Sequence, residues 1–511
     1  MSAQFAMVIS PASTVPAGHC RGETQAAETG ELLAQAVAGP GFWEDLIGEL
    51  RRAGLIAELL ADGAVAGAAA QAGHGHKLDR ALTAEVTAMC VIAGALFPDH
   101  GYDLVLARTF AMPGLPVKPG TVTPSGPALS KARVLPGEQA MRRISEIDAA
   151  RSDADLGTGA AWHGMETTAI DGTTIELFSN DELAGAFGVP SGGTKPKLRI
   201  AAHVRTASRR WITAAIGGYH DGENPLADEL EDSFTAGILN LADRGFFSMD
   251  RWLRFSARGA HLVWRVRNGA KSVPFKTTRT LPDGPELALL RESGSMLGKR
   301  RREAGDKTLT RLPDTVARLV SFTVTTRTAR RVKTSVIKVL TTLLDADACP
   351  AREIAALYAE RWQIEIAYLH LKKTVKGTGR VLRGRSVTLA RQEAWALLLV
   401  HNMTATLAAR AAGQAGLDPD LLPFTAVLSL IRASITADTC CPHCGKRPAS
   451  GNDPLTPLIS QILAQPARRD RPARTSGRTP FQRQTWHTEE VTYTITIVPS
   501  NLPKTEISPG S

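Results

Sequence analysis

Tyr358, Arg361, Glu365 and Lys372 stand in the segment YAERWQIEIAYLHLKK, the last three lying 3, 7 and 14 residues beyond the tyrosine. Wound as one α-helix at 100° per residue, they fall at about 0°, −60°, −20° and −40°, a single narrow face some three turns long. A carboxylate flanked by two cations on one face suits a site that holds a metal ion and a polyanion together. The acid ligates the ion, while Arg and Lys neutralise phosphate oxygens. The plainer alternative is a solvent-facing stripe held by an Arg–Glu pair one turn apart, worth only ~0.2–0.5 kcal/mol. Trp362, at about 40° from Tyr358, is expected to pack beneath the helix; stacking on a displaced base is its other possible use.

A single helix cannot complete such a site, so the elements before it must bring more acids. Near residue 167 the pattern turns from helical to extended, and TTAIDGTTIELF reads as a strand, a turn at Asp171-Gly172 and a second strand. LRIAAHVRT and RRWITAAIGGYH continue the strands, and DELEDSFTAGILN reads as a helix. The apolar run before LADRGFF ends at Asp243, with a helix expected to follow. Asp171 and Asp243 are thus predicted at strand ends, where a rigid sheet hands side chains to a site. Asp345 closes VIKVLTTLLD and is assigned to the strand-to-helix turn ahead of the Glu365 helix. Asp171, Asp243 and Glu365 lie 72 and 122 residues apart, and spacing alone does not bring them together.

The organisation predicted around them is a flexible arm over 1–38, a helical module over 39–150 and an α/β region over 160–255. A β-rich insertion follows over 256–335, then a strand and the Glu365 helix over 336–410, a helical segment over 411–463 and a basic, poorly ordered tail over 464–511. Lys plus Arg exceed Asp plus Glu by 60 to 50, a surplus that permits a nucleic-acid partner without requiring one. Its distribution says more. Arg330, Arg331 and Lys333 sit in an acid-free stretch, and Lys299 to Arg302 form a second basic cluster; both point to a DNA-backbone surface, although charged strand edges also suppress unwanted pairing.

Several classes are set aside. Six cysteines in 511 residues do not form a disulfide framework, no run of 18 apolar residues offers a membrane span, and the first residues lack the basic start of a secretory signal. A reducing, cytoplasmic setting is therefore expected, nucleoid-associated if the partner is DNA. Gly192-Gly193 lacks full phosphate-loop spacing. Cys440, Cys441 and Cys444, with His443 between them, resemble half of a zinc site whose second ligand pair is missing, so free thiols and a zinc ion shared with distant ligands both stay open.

The segments IDGTTIELF, LADRGFF and TTLLD, together with the Tyr358, Arg361, Glu365, Lys372 spacing, resemble the IS4-type transposases of bacterial insertion sequences. The likeness extends to FWEDLIGELRRAG and spans about residues 41–410. It implies an α/β fold, an RNase H-like mixed-sheet core with a β-rich insertion between the second Asp and the Glu, and a helical N-terminal domain that binds DNA ends or dimerises. It implies that Asp171, Asp243 and Glu365 hold two divalent ions, Mg²⁺ with Mn²⁺ as a substitute, since oxygen ligands and phosphate chemistry favour a hard cation. Tyr358, Arg361 and Lys372 would then contact DNA. The implied activity cleaves insertion-element ends at terminal inverted repeats and joins them to target DNA, as a homodimer on paired ends. An inactive DNA-binding derivative and a non-transposing nuclease with the same core are the alternatives.

Overall fold

The structure is a computed structural model that describes residues 81–110, 121–156, 161–267, 275–328, 331–436, 456–465 and 492–498. The arm, FWEDLIGELRRAG, Arg330, Cys440, Cys441 and Cys444 lie outside the described residues, as does the side chain of Arg331. Among the described residues four helices come first: α1 (Ala84–Leu96), α2 (Tyr102–Phe110), α3 (Gly126–Ala132) and α4 (Gly137–Leu156). Thr83 starts α1 by accepting the Val86 N–H at 3.2 Å, and α1 ends before Pro98.

The core sheet then forms from β1 (Ala161–Trp162), β2 (Met165–Glu176), β3 (Lys197–Arg205), β4 (Trp211–Gly218), β5 (Ile238–Ala242) and β6 (His261–Val266). Between these strands stand α5 (Asp181–Phe187), α6 (Glu223–Asp228) and α7 (Met249–Ala257). In the order β4-β3-β2-β5-β6 the first three strands are antiparallel, while β2, β5 and β6 run parallel. This is the RNase H-like mixed sheet. Its strands are buried on both faces: Leu198, Ile200, Ala202 and Val204 of β3 join the core beneath the long helices, and Ala201 joins the opposite core with Trp252 and Phe255 of α7.

β7 (Phe275–Thr280), β8 (Glu286–Leu290), α8 (Gly294–Ala304), β9 (Thr315–Thr328) and β10 (Arg331–Thr341) follow. β10 pairs antiparallel with β6, and β9, β8 and β7 continue outward, so the β-rich region extends the core sheet. The segment that carries Glu365 begins with α9 (Ala351–Leu357). It continues through a 3₁₀ turn at Tyr358–Arg361, α10 (Trp362–Leu369) and a π-helical stretch at His370–Val375. Next come α11 (Val387–Ala415), α12 (Phe424–Thr436) and α13 (Thr456–Leu463). α11 is capped by Ser386 at its start and by Gly416, φ 64°, at its end; it packs against α1, α4, α12 and α13. No helix among the described residues is long and apolar enough to cross a membrane.

Three local expectations are corrected. β2 runs unbroken through Asp171-Gly172, which pair with Ala202 and Ala201, so there is no turn there. DELEDSFTAGILN forms the end of α6, a 3₁₀ turn and the start of β5 instead of a helix, because Ile238 onward is drawn into the sheet beside β2. Within 464–511, β11 (Thr492–Ile497) is an ordered strand that pairs with the half of β9 not covered by β8.

Candidate active site

The parallel pairing of β2 with β5 ends at Ile170 and Ala242, and the residue that follows each is an aspartate. Asp171 and Asp243 therefore stand level where two neighbouring strands part. Asp243 lies at the strand end that the sequence predicts; Asp171 lies within β2, at the point where the strand loses its parallel neighbour. The Glu365 helix crosses this opening. A cleft of about 720 Å³ is lined by Asp171, Asp243, Tyr358, Arg361, Trp362, Glu365 and Lys372, so sequence positions from three distant segments share one site. Its opposite wall is apolar and comes from Phe322, Val324, Ile337 and Ile495 of β9, β10 and β11.

The helical segment that carries the site is wound unevenly, tighter than α at Tyr358–Arg361 and looser at His370–Val375. The two deviations act in opposite senses, and all four marked side chains still reach the cleft. Tyr358 is buried and donates its hydroxyl to the Ala242 carbonyl at 3.2 Å, fixing the end of β5. It is therefore a strand anchor, with its hydroxyl already engaged, where the resemblance implies a DNA contact. Tyr368 does the same for the other acid, donating to the Asp171 carbonyl at 2.7 Å. In the sequence Tyr368, three residues after Glu365, reads only as one more apolar anchor.

Cations answer the acids. Arg361 lies 3.1 Å from Glu365 and 3.7 Å from Asp171, and its guanidinium stands over the Trp362 ring at 5.9 Å. Trp362 is half-buried and lines the cleft, whereas its angle from Tyr358 predicts packing beneath the helix. Arg265, also missed, approaches Asp243 at 3.4 Å. Its signal was present: next to buried Trp264 on an alternating strand, Arg265 must face the other way. Lys372 donates to Thr173 Oγ1 at 2.8 Å, two residues beyond Asp171, and Lys373, Lys376 and Arg380 extend the basic side of the cleft.

Burial pushes the Asp171 carboxyl up to about 7 despite the opposing pull of Arg361 and the Gly172 N–H. Burial disfavours charge on Arg361 too, but Tyr358, Asp171, Asp243 and Glu365 outweigh it and hold the guanidinium firmly protonated. Among the described residues no group of three or more His, Cys, Asp or Glu side chains is gathered closely enough to hold a metal ion. Arginines stand beside Asp171, Asp243 and Glu365. The donor set nonetheless fits a hard divalent cation: every candidate ligand is a carboxylate oxygen, and half-buried Asp171, its carboxyl pushed up, gains as an anion from further positive charge beside it.

The other expectations fall elsewhere. Lys333 is exposed on β10 and is not among the residues lining the cleft. On α8, Arg300 pairs with buried Glu292 at 3.0 Å and Arg301 donates to the Leu309 carbonyl, so much of that basic cluster holds its own hairpin together. Asp345 sits in the strand-to-helix turn, accepting the Asp347 and Ala348 N–H groups, and does not line the cleft.

A mixed RNase H-like sheet with aspartates level on two parting strands, crossed by a glutamate-bearing helix, defines a DDE-type protein. Residues 162–403 match the transposase DDE domain, and residues 51–146 match the N-terminal domain of the insertion element 4 transposase. The transposase InsG for insertion sequence element IS4 of Escherichia coli (strain K12) is 27% identical over 406 residues, covering 77% of this chain and 84% of that protein. The putative transposase InsZ of the same organism is 27% identical over 108 residues, 20% of this chain and 36% of that one. A piggyBac transposase synaptic complex with hairpin DNA is a looser likeness, with a TM-score of 0.41 at 10% identity over 85% of this chain and 84% of that one. The chain belongs to the IS4 family of DDE transposases.

Proposed function

We infer that this chain cleaves the ends of its insertion element and joins them to target DNA by divalent-metal phosphoryl transfer. The observation that supports this is the single cleft shared by Asp171, Asp243 and Glu365 with the cations Arg361 and Lys372. Asp171, Asp243 and Glu365 would hold Mg²⁺, which when bound supplies Lewis-acid activation of the attacking oxygen and stabilises the departing one. The chain's own part is positional and electrostatic. Tyr358 and Tyr368 fix the backbones that carry the two aspartates, while Lys372 and Arg361 offer positive charge to phosphate oxygens. The substrates on this reading are terminal inverted repeats and target DNA, bound by a homodimer.

The test uses purified protein, Mg²⁺ and supercoiled DNA carrying the repeats that flank the gene. Wild type is expected to give nicked, broken and joined products. Asp243→Asn should lower cleavage by about 10²–10⁴-fold while end binding stays within about threefold. Binding without any nick or break would overturn the enzymatic reading and leave a DNA-binding derivative. Cleavage untouched by Asp243→Asn would overturn the site.

A further inference from the structure

Arg361 is held differently from Arg251 and Arg318, two arginines buried in the fold. Arg251 makes five hydrogen bonds, to Asp228, to the Asn224 side chain and to the backbone carbonyls of Asn224 and Phe246. Arg318 is likewise tied to the Cys349 and Asp345 carbonyls as well as to Asp283. Arg361 meets the carboxylates of Glu365 and Asp171 and the face of Trp362. These are groups a cation can leave once another positive charge satisfies them. Its side chain is 13% exposed and borders the open cleft, and it ends a 3₁₀ turn inserted between two α-helical stretches, a winding associated with hinges. Its position bridges two of the three acids that would hold a metal, and a guanidinium and a divalent ion repel each other strongly at such range.

We propose that Arg361 is a built-in counter-cation: in the DNA-free protein it occupies the positive position between Asp171 and Glu365 and opposes metal, and a DNA phosphate draws it away. The inference rests on the metal-dependent reading above and adds its regulation. Metal and DNA then bind cooperatively, because the anion that recruits the guanidinium frees the carboxylates for the metal. By reciprocity the metal must raise DNA affinity by the same factor. The device would keep the DNA-free protein poorly loaded with metal and confine cleavage to assembled complexes.

The test measures Mn²⁺ binding to the full chain by electron paramagnetic resonance, so its readout is not activity. It is run with and without a short duplex cut from the flank of the gene, for wild type, Arg361→Gln and Asp171→Asn. Without DNA, Arg361→Gln is expected to bind Mn²⁺ about tenfold more tightly than wild type. The duplex should tighten Mn²⁺ about tenfold in wild type and less than about threefold in Arg361→Gln. Asp171→Asn should bind weakly throughout. Where Arg361→Gln fails to fold by circular dichroism, Arg361→Lys takes its place; lacking the planar fork that spans both carboxylates, it should bind Mn²⁺ more tightly than wild type but less than tenfold. Mn²⁺ affinity in the arginine variant equal to or below that of wild type without DNA would overturn the counter-cation while leaving the metal site standing. Absence of Mn²⁺ binding in wild type, even with the duplex, would overturn both readings.

Discussion

Burial gives Asp171 its character: the carboxyl is pushed up to about 7 because its charge is poorly solvated, and Arg361 at 3.7 Å only partly offsets this. The folded-state value lies above the unfolded one, so between them the folded protein holds more protons. The contribution to stability is then full below the unfolded value and is lost as pH rises towards about 7. At pH 8 the ionised group is a source of strain that a bound cation would relieve. Asp171→Asn retains an oxygen for the Gly172 N–H, now 2.8 Å from Asp171 Oδ1, and removes the buried charge. At pH 8 without metal this variant is expected to be more stable by about 1 kcal/mol in urea unfolding, while cleavage is lost. A fall in stability instead would mean that the Arg361 contact outweighs the burial of charge.

Among the elements, β2 shows best where sequence reading succeeds and where it stops. Asp171 was legible as a strand acid from its apolar neighbours, but Asp-Gly is also a strong turn signal and was read as one. Gly172 is there for a different reason: a Cβ would meet Glu223 at 2.7 Å, and Glu223 is held by Arg199 at 2.7 Å. That demand comes from a helix 51 residues downstream, and no local pattern reports it. The same limit applies to Tyr358, whose burial depends on Ala242 and on Phe322 of β9, and to Arg361, whose pairing with Asp171 needs the assembled sheet. By contrast the helix face was readable because its residues follow one local period. The alternation in TYTITI of β11 was readable too but lay behind a basic, breaker-rich stretch. Gly172→Ala is expected to cost about 1–2 kcal/mol in urea unfolding, since Glu223 must give up Arg199 to make room. Adding Glu223→Ala should restore at least about half of that loss. If Gly172→Ala unfolds at the wild-type midpoint, the glycine is not required by this contact.

Over the whole molecule, helices on both faces seal the sheet so thoroughly that polar groups are trapped with it. His203 is satisfied there, within 2.8 Å of both Ser233 and Thr168, and Thr168 in turn accepts from Asn240, which accepts from Trp264. His401 on α11 is fully buried among Trp211, His370 and Phe424, and neither ring nitrogen has a hydrogen-bond partner among the described residues. Burial holds both imidazoles down to about 3. Their unfolded values lie near ~6.5, so the unfolded chain takes up protons that the folded one refuses. Stability is therefore full above that value and falls as pH drops towards about 3. By pH 5 the loss is about 2 kcal/mol per histidine. Asp171 acts in the opposite sense over part of this range, and comparison of a variant with wild type cancels its effect. His401→Phe keeps the aromatic packing, removes two unsatisfied nitrogens and removes one of the two titrations. It is expected to lie within about 1 kcal/mol of wild type at pH 7.5 and to exceed it by about 2 kcal/mol at pH 5 in urea unfolding. An acid limb with the same slope in both proteins would place the acid sensitivity elsewhere and show that His401 accepts its proton within the fold.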